Sequence, residues 1–195
     1  MKSFKQYFLE QAEDSVAIFP GGFKPPTKGH FNAFNYILQR AKRGIVYIGN
    51  QTRNNVTPEM SKAIWDIYSK YIPKPIEVII SADTPITSTY KFAEKNPNIN
   101  IYVGKGIKDL DDTRFNSFEK NKEKYPLVDV ITIKEQAGGI SGTITRQKLQ
   151  VDIDDALEYF LPDIIKENNP KLVGSDVVEE NKRNVLRIKN ILLNK

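Results

Sequence analysis

Val16-Ala-Ile-Phe-Pro-Gly-Gly-Phe-Lys-Pro-Pro-Thr-Lys-Gly-His30 contains the chain's only histidine. The apolar run Val16–Phe19 reads as a buried strand. It breaks into a turn of glycines and prolines, and a helical pattern starts at Gly29. A strand, a glycine turn and a helix start together form an anion site. The backbone N–H groups of the first turn lack intrahelical partners, and the positive end of the helix dipole points the same way. His30 falls in that first turn and faces the same spot.

The charge around this stretch agrees. From Ser15 to Pro58 the chain carries Lys24, Lys28, Arg40, Lys42, Arg43 and Arg53, with no Asp or Glu. Such a segment suits a polyphosphate. The charges alone would describe only a solvated basic surface. The turn and the histidine together carry the reading further.

Gly22-Phe-Lys-Pro-Pro-Thr-Lys-Gly-His30 resembles the GxFxPxTxGH signature of the nucleotidyltransferase superfamily, which includes adenylyltransferases and cytidylyltransferases. Thr27-Lys28-Gly29-His30 matches its (T/H)xGH hallmark. Ile140-Ser-Gly-Thr-Ile-Thr-Arg146 resembles its second hallmark, ISSTxxR, with Gly142 where a serine usually stands. The resemblance covers about residues 15 to 150.

It implies transfer of a nucleoside monophosphate, AMP in preference to CMP, from ATP or CTP to a phosphorylated acceptor, with release of pyrophosphate. A non-catalytic nucleotide-binding protein is the alternative. His30 would stabilise the transition state, as a cation or as a hydrogen-bond donor. Thr27 and Arg146 complete the catalytic set. Gly21, Gly22, Phe23, Lys24, Gly29, Gly104, Ser141, Gly142 and Thr143 would hold the substrates. Lys24 departs from the Asp, Asn or Gln common at that place in relatives. It is read equally as a contact to the acceptor's phosphate or as a surface lysine. Mg²⁺ would arrive mainly on the nucleotide phosphates, with no protein metal site. Asp109, Asp111 and Asp112 could ligate a metal, although a solvated acidic loop is the preferred reading.

The rest of the chain alternates strand and helix. Strands are expected at Ile45–Ile48, Ile76–Ile80, Ile99–Val103 and Val128–Ile133. Helices are expected from Gly29 to Lys42, with Gly44 closing the first, and from Thr57-Pro58 and Thr84-Pro85. In both pairs the threonine is the cap and the proline the first helical residue. Another helix starts near Ser141. This predicts a Rossmann-like α/β fold: a doubly wound, parallel, five-stranded sheet with a C-terminal helical extension. Phe34, Tyr36 and Tyr47 are expected in the core.

Three segments are expected: an N-terminal helical piece (1–14), the nucleotidyltransferase domain (15–150) and C-terminal helices (151–195). The start, Met1-Lys-Ser-Phe-Lys-Gln-Tyr-Phe-Leu-Glu10, is read as a short helix. It also resembles removable head-targeting peptides of tailed-phage internal proteins.

There are no cysteines, which excludes disulfides and thiol chemistry and is compatible with a cytoplasmic setting, in a host cell or a virion if the origin is phage. No apolar run approaches the roughly 20 residues of a membrane span. The net charge of +5 favours anionic ligands without demanding nucleic acid. Assembly into homo-oligomers is an expectation carried by the resemblance.

Overall fold

The computed structural model describes residues 14–106, 113–133, 142–152 and 174–193, with positions 155, 159 and 165. Residues 1–13 of the N-terminal piece, the Asp109–Asp112 loop, Ser141 and much of the segment expected to form the C-terminal helices lie outside the described residues. Contacts divide the chain into two compact units. One draws on Met1–Gly22, Ala33–Asn50 and Lys74–Glu135, the other on Phe23–Asn32, Gln51–Pro73 and Gln136–Lys195.

The first unit holds the sheet. Strands β1 (Ser15–Gly21), β2 (Arg43–Ile48), β3 (Ile76–Ile80), β4 (Asn100–Gly106) and β5 (Val128–Ile133) lie in the order β3-β2-β1-β4-β5. Every pairing is parallel. The expected α/β, doubly wound, five-stranded sheet is therefore the observed one. Its order reverses between β1 and β4, and ligands of open parallel sheets bind beyond the carboxyl ends of strands at such a reversal.

The pairing of β1 opens at that place. Its ladder with β4 stops at Ile18 opposite Val103, while its ladder with β2 runs on to Gly21 opposite Ile48. Pro20 has no N–H and lies in the stretch paired on one side only.

Helix α1 (Lys28–Leu38) follows β1. Phe31, Phe34, Ile37, Leu38 and Ala41 are buried, as the helical stripe requires. Tyr36 corrects the expectation. It is 43% exposed, with the Arg40 guanidinium 4.5 Å above its ring. Two residues from Phe34 is about 200° around a helix, so periodicity places Tyr36 on the outer face.

The helix also stops four residues sooner than the pattern suggests. Lys74 Nζ donates to the carbonyls of Leu38 (2.9 Å), Gln39 (3.3 Å) and Ala41 (2.6 Å). A cation there satisfies the last carbonyls and complements the negative end of the dipole.

Gly44 is not the helix stop but the second residue of β2. A Cβ there would lie 2.5 Å from Phe34 Cζ and 3.0 Å from Leu38 Cδ1. Gly104 has the same cause. Its Cβ would meet Phe19 Cδ2 at 2.9 Å, Ile37 Cδ1 at 3.0 Å and Ile133 Cδ1 at 3.1 Å. Gly104→Ala should cost about 1–3 kcal/mol by overpacking. A chemical-denaturation midpoint equal to that of the parent would contradict this packing.

On the opposite face of the sheet, Val16, Ile18, Ile101 and Val103 pack with Ile86 and Ala93 of α3 (Pro85–Lys95). Phe118 of α4 (Asn116–Lys120) joins them and stacks 4.0 Å from Tyr90. Thr84 caps α3 by accepting the Thr87 N–H at 3.1 Å.

The second unit contains α2 (Pro58–Ser69), α5 (Gly142–Val151) and α6 (Ser175–Leu193). Thr57 caps α2 by accepting the Met60 N–H at 3.2 Å, and Pro58 opens the helix as the sequence indicates. α6 packs on α2. Its Asn184 Nδ2 donates to the Tyr71 hydroxyl at 2.7 Å, and that hydroxyl donates to Glu180 Oε1 at 2.8 Å. No helix among the described residues is long and apolar enough to cross a membrane.

Candidate active site

The glycine turn is continuous with the end of β1. Gly49 N–H donates to Gly21 O at 2.9 Å, so the parallel ladder reaches the last residue before the turn. A Cβ on Gly22 would meet nothing within 4 Å. Phe23 then takes φ +49°, in the left-handed region, and the Lys24–Pro25 peptide is cis. Its ring is buried, with His30 at 5.2 Å and Trp65 at 5.4 Å, both edge-on.

His30 is fixed by its own turn. The Thr27 backbone N–H donates to His30 Nδ1 at 3.1 Å, and Thr27 Oγ1 lies 3.0 Å from the same nitrogen. A backbone N–H can only donate, so Nδ1 must be bare and the ring proton sits on Nε2. Burial also penalises the charged ring and lowers its pKa from 6.5 to about 4. The imidazole is therefore neutral at pH 7 and offers one N–H.

Thr27 is buried and starts the helix: its carbonyl accepts the Phe31 N–H at 3.1 Å. Its hydroxyl turns toward the histidine. The first turn of α1 contains no acidic residue, so nothing on the helix neutralises its positive end. A Cβ on Gly29 would touch only Thr27 Oγ1, at 3.6 Å.

Lys24 is half-buried. Its Nζ donates to Ser61 Oγ at 3.3 Å. Burial lowers its pKa to about 8, opposed by Glu59 and assisted by Arg53.

The structure thus gathers Phe23, Lys24, Thr27, Gly29 and His30 in one loop and helix start. Gly21 and Gly22 lead into it from β1, and Gly104 lies on the neighbouring strand, β4. α5 begins at Gly142, as the helix start expected near Ser141 requires, and carries Thr143 and Arg146. Ser141 and the side chains of Thr143 and Arg146 lie outside the described residues. Among the described residues no group of three or more His, Cys, Asp or Glu stands together.

Three residues escaped the sequence reading: Ser61, Trp65 and Tyr68, all on one face of α2. Ser61 Oγ donates to Phe23 O at 2.6 Å, and the Tyr68 hydroxyl donates to Pro26 O at 3.3 Å. Two carbonyls of the turn are thereby pinned to one helix. The spacing of 61, 65 and 68 fits one helical face. Nothing local announced that this face would meet the glycine turn.

The fold has counterparts in known proteins. No protein-family model matches the chain. Phosphopantetheine adenylyltransferase of Wigglesworthia glossinidia brevipalpis is 27% identical over 171 residues, covering 85% of this chain and 97% of that protein. A Vibrio parahaemolyticus structure assigned as a nicotinate-nucleotide adenylyltransferase superposes with TM-score 0.56 at 19% identity, covering 81% of this chain and 93% of that one. Plasmodium falciparum nicotinic acid mononucleotide adenylyltransferase, complexed with APC, gives TM-score 0.55 at 19% identity, covering 81% and 95%. The α/β fold is thus shared with these two solved structures.

Proposed function

We propose that the chain is an adenylyltransferase. It transfers AMP from ATP to a phosphorylated acceptor and releases pyrophosphate. The observation that carries this reading is the neutral, oriented His30 at an acid-free helix start directly after a glycine turn. The similarity to phosphopantetheine adenylyltransferase supports it over nearly the whole length of that protein.

The reaction joins an acceptor phosphate oxygen to the α-phosphorus of ATP and breaks that phosphorus's bond to the bridging oxygen of the β-phosphate. No covalent enzyme intermediate is needed. Catalysis is alignment of two anions and stabilisation of charge as it builds on phosphate oxygens.

His30 Nε2–H donates to a phosphate oxygen in the transition state. Thr27 fixes the tautomer and adds its hydroxyl to the same region. Gly21 and Gly22 let the phosphates approach the backbone, and Phe23 walls the histidine. Arg146, four residues into α5, suits the β- and γ-phosphates through its planar fork. Ser141, Gly142 and Thr143 offer N–H groups at the helix start before it, and Gly104 a backbone contact at the end of β4. The donors at the described turn, an imidazole N–H, an ammonium and amide groups, match phosphate oxygens and not a dication. Mg²⁺ would therefore be held by the phosphates of ATP and not by this turn, and would supply charge neutralisation there. Residues 15–150 form the catalytic domain, 151–195 a helical extension, and the setting is the cytoplasm.

Gly29 gives a selective check. The protein itself leaves room for a methyl group there, so the glycine serves the ligand. Gly29→Ala should melt no lower than the parent, since alanine is the better helix former by up to about 1 kcal/mol. It should bind an ATP analogue roughly 10- to 100-fold more weakly, the equivalent of an overpacked contact. Unchanged affinity would remove the nucleotide from this face.

The function is tested by incubating the chain and Mg²⁺ with ATP or CTP and a panel of phosphorylated acceptors. Nicotinate and nicotinamide mononucleotides, phosphopantetheine, FMN and sugar phosphates form that panel. Pyrophosphate release with ATP and one acceptor class is expected. Release with CTP alone, or with none of the acceptors, contradicts the reading.

A further inference from the structure

Ser61 has no accessible surface, yet its hydroxyl does little for its own helix. A serine inside a helix ordinarily returns its proton to the carbonyl four residues back. That carbonyl, Thr57 O, lies 3.2 Å away, whereas Phe23 O lies at 2.6 Å. A hydroxyl has one proton, and the shorter distance assigns it to Phe23. Its lone pairs remain to accept Lys24 Nζ at 3.3 Å. One buried atom thus holds both the carbonyl of the left-handed Phe23 and the amine of the next residue.

The charged groups facing that amine are Glu59 on α2 and Arg53 in the bridge before it. Arg53 and Val56 pair across Asn54 and Asn55, both with positive φ.

We propose that Ser61 is a positioning residue that presents the Lys24 ammonium to a phosphate-bearing anion at the glycine turn. The identity of that anion, acceptor phosphate or nucleotide phosphate, rests on the adenylyltransferase reading; the anion chemistry does not. Lys24, its pKa lowered by burial, then confers an alkaline limit on binding near pH 8. The hydroxyl of Ser61 accepts a hydrogen bond from the ammonium and so favours the charged form. Its loss moves that limit to lower pH.

The test is calorimetric titration of the full chain between pH 6.5 and 9.5. One arm uses inorganic tripolyphosphate. The other uses inorganic phosphate with a saturating non-hydrolysable ATP analogue, and the arm that responds identifies the source. In the parent, affinity should fall roughly 10- to 100-fold through pH 8, the loss of one charge-assisted contact.

Ser61→Ala should bind more weakly at pH 7 and titrate below 8, and Ser61→Thr should restore both. Lys24→Met should bind weakly with no inflection. If Ser61→Ala keeps the parent's affinity and inflection, the proposal is overturned. The same holds if Lys24→Met retains the inflection, which decides the matter even where Ser61→Ala does not fold. Binding of neither probe by the parent also overturns it. A chain that binds as described yet releases no pyrophosphate defeats the functional reading and leaves this one standing.

Discussion

His30→Ala should lose roughly 10²–10³ in turnover, the usual effect of deleting one preorganised donor to a developing oxyanion. The fold should survive, because the ring's polar bonds lie within its own turn. His30→Gln keeps an N–H of similar reach and should fall between parent and alanine.

The parent's stability carries a matching pH signature. Folding lowers the His30 pKa from 6.5 to about 4. Between those values the unfolded chain binds the proton and the folded chain does not. Stability from this group is therefore complete above pH 6.5 and declines as pH falls toward 4, by up to about 3 kcal/mol. Denaturation midpoints at several pH values should show that slope in the parent and a flatter one in His30→Gln. Parental turnover in His30→Ala, with a pH slope unchanged in His30→Gln, would remove the histidine from the mechanism.

Trp65→Ala should be the most damaging change to the fold. Trp65 is fully buried, with Phe23 at 5.4 Å and Tyr68 at 5.7 Å, both edge-on. Emptying such a site costs about 3–5 kcal/mol. For a chain of this length that lowers Tm by about 6–20 °C. Trp65→Phe keeps most of the volume and should lose far less. Because Trp65 backs Phe23, and Phe23 backs His30, the alanine variant should also lose turnover at temperatures where it remains folded. A Tm within about 2 °C of the parent's would contradict this account of the turn's support.

What was legible in the sequence was local. Thr57-Pro58 and Thr84-Pro85 state their helix starts in two residues, and β3 and β5 run between the residues that bound them in the sequence. The histidine at a helix start after a glycine turn was legible for the same reason. What depends on distant partners was not. Gly44 looks like a helix stop because the sequence does not show Phe34 pressed against it. The early end of α1 depends on Lys74, more than thirty residues away. The protonation of His30 is set by burial and by one backbone N–H, and Ser61 looks like any serine in a helix until its hydroxyl is seen to reach Phe23. The strand order belongs to pairing between segments, which alternation alone leaves open.

The central claim is that nucleotide phosphates lie at the start of α1, with the imidazole as one donor and the Arg146 guanidinium as another. A crystal structure with a non-hydrolysable ATP analogue tests it most directly. The account predicts His30 Nε2 within hydrogen-bonding distance of a phosphate oxygen, with Arg146 contacting the same triphosphate. A nucleotide bound elsewhere, or one that leaves either side chain without a phosphate contact, would contradict it.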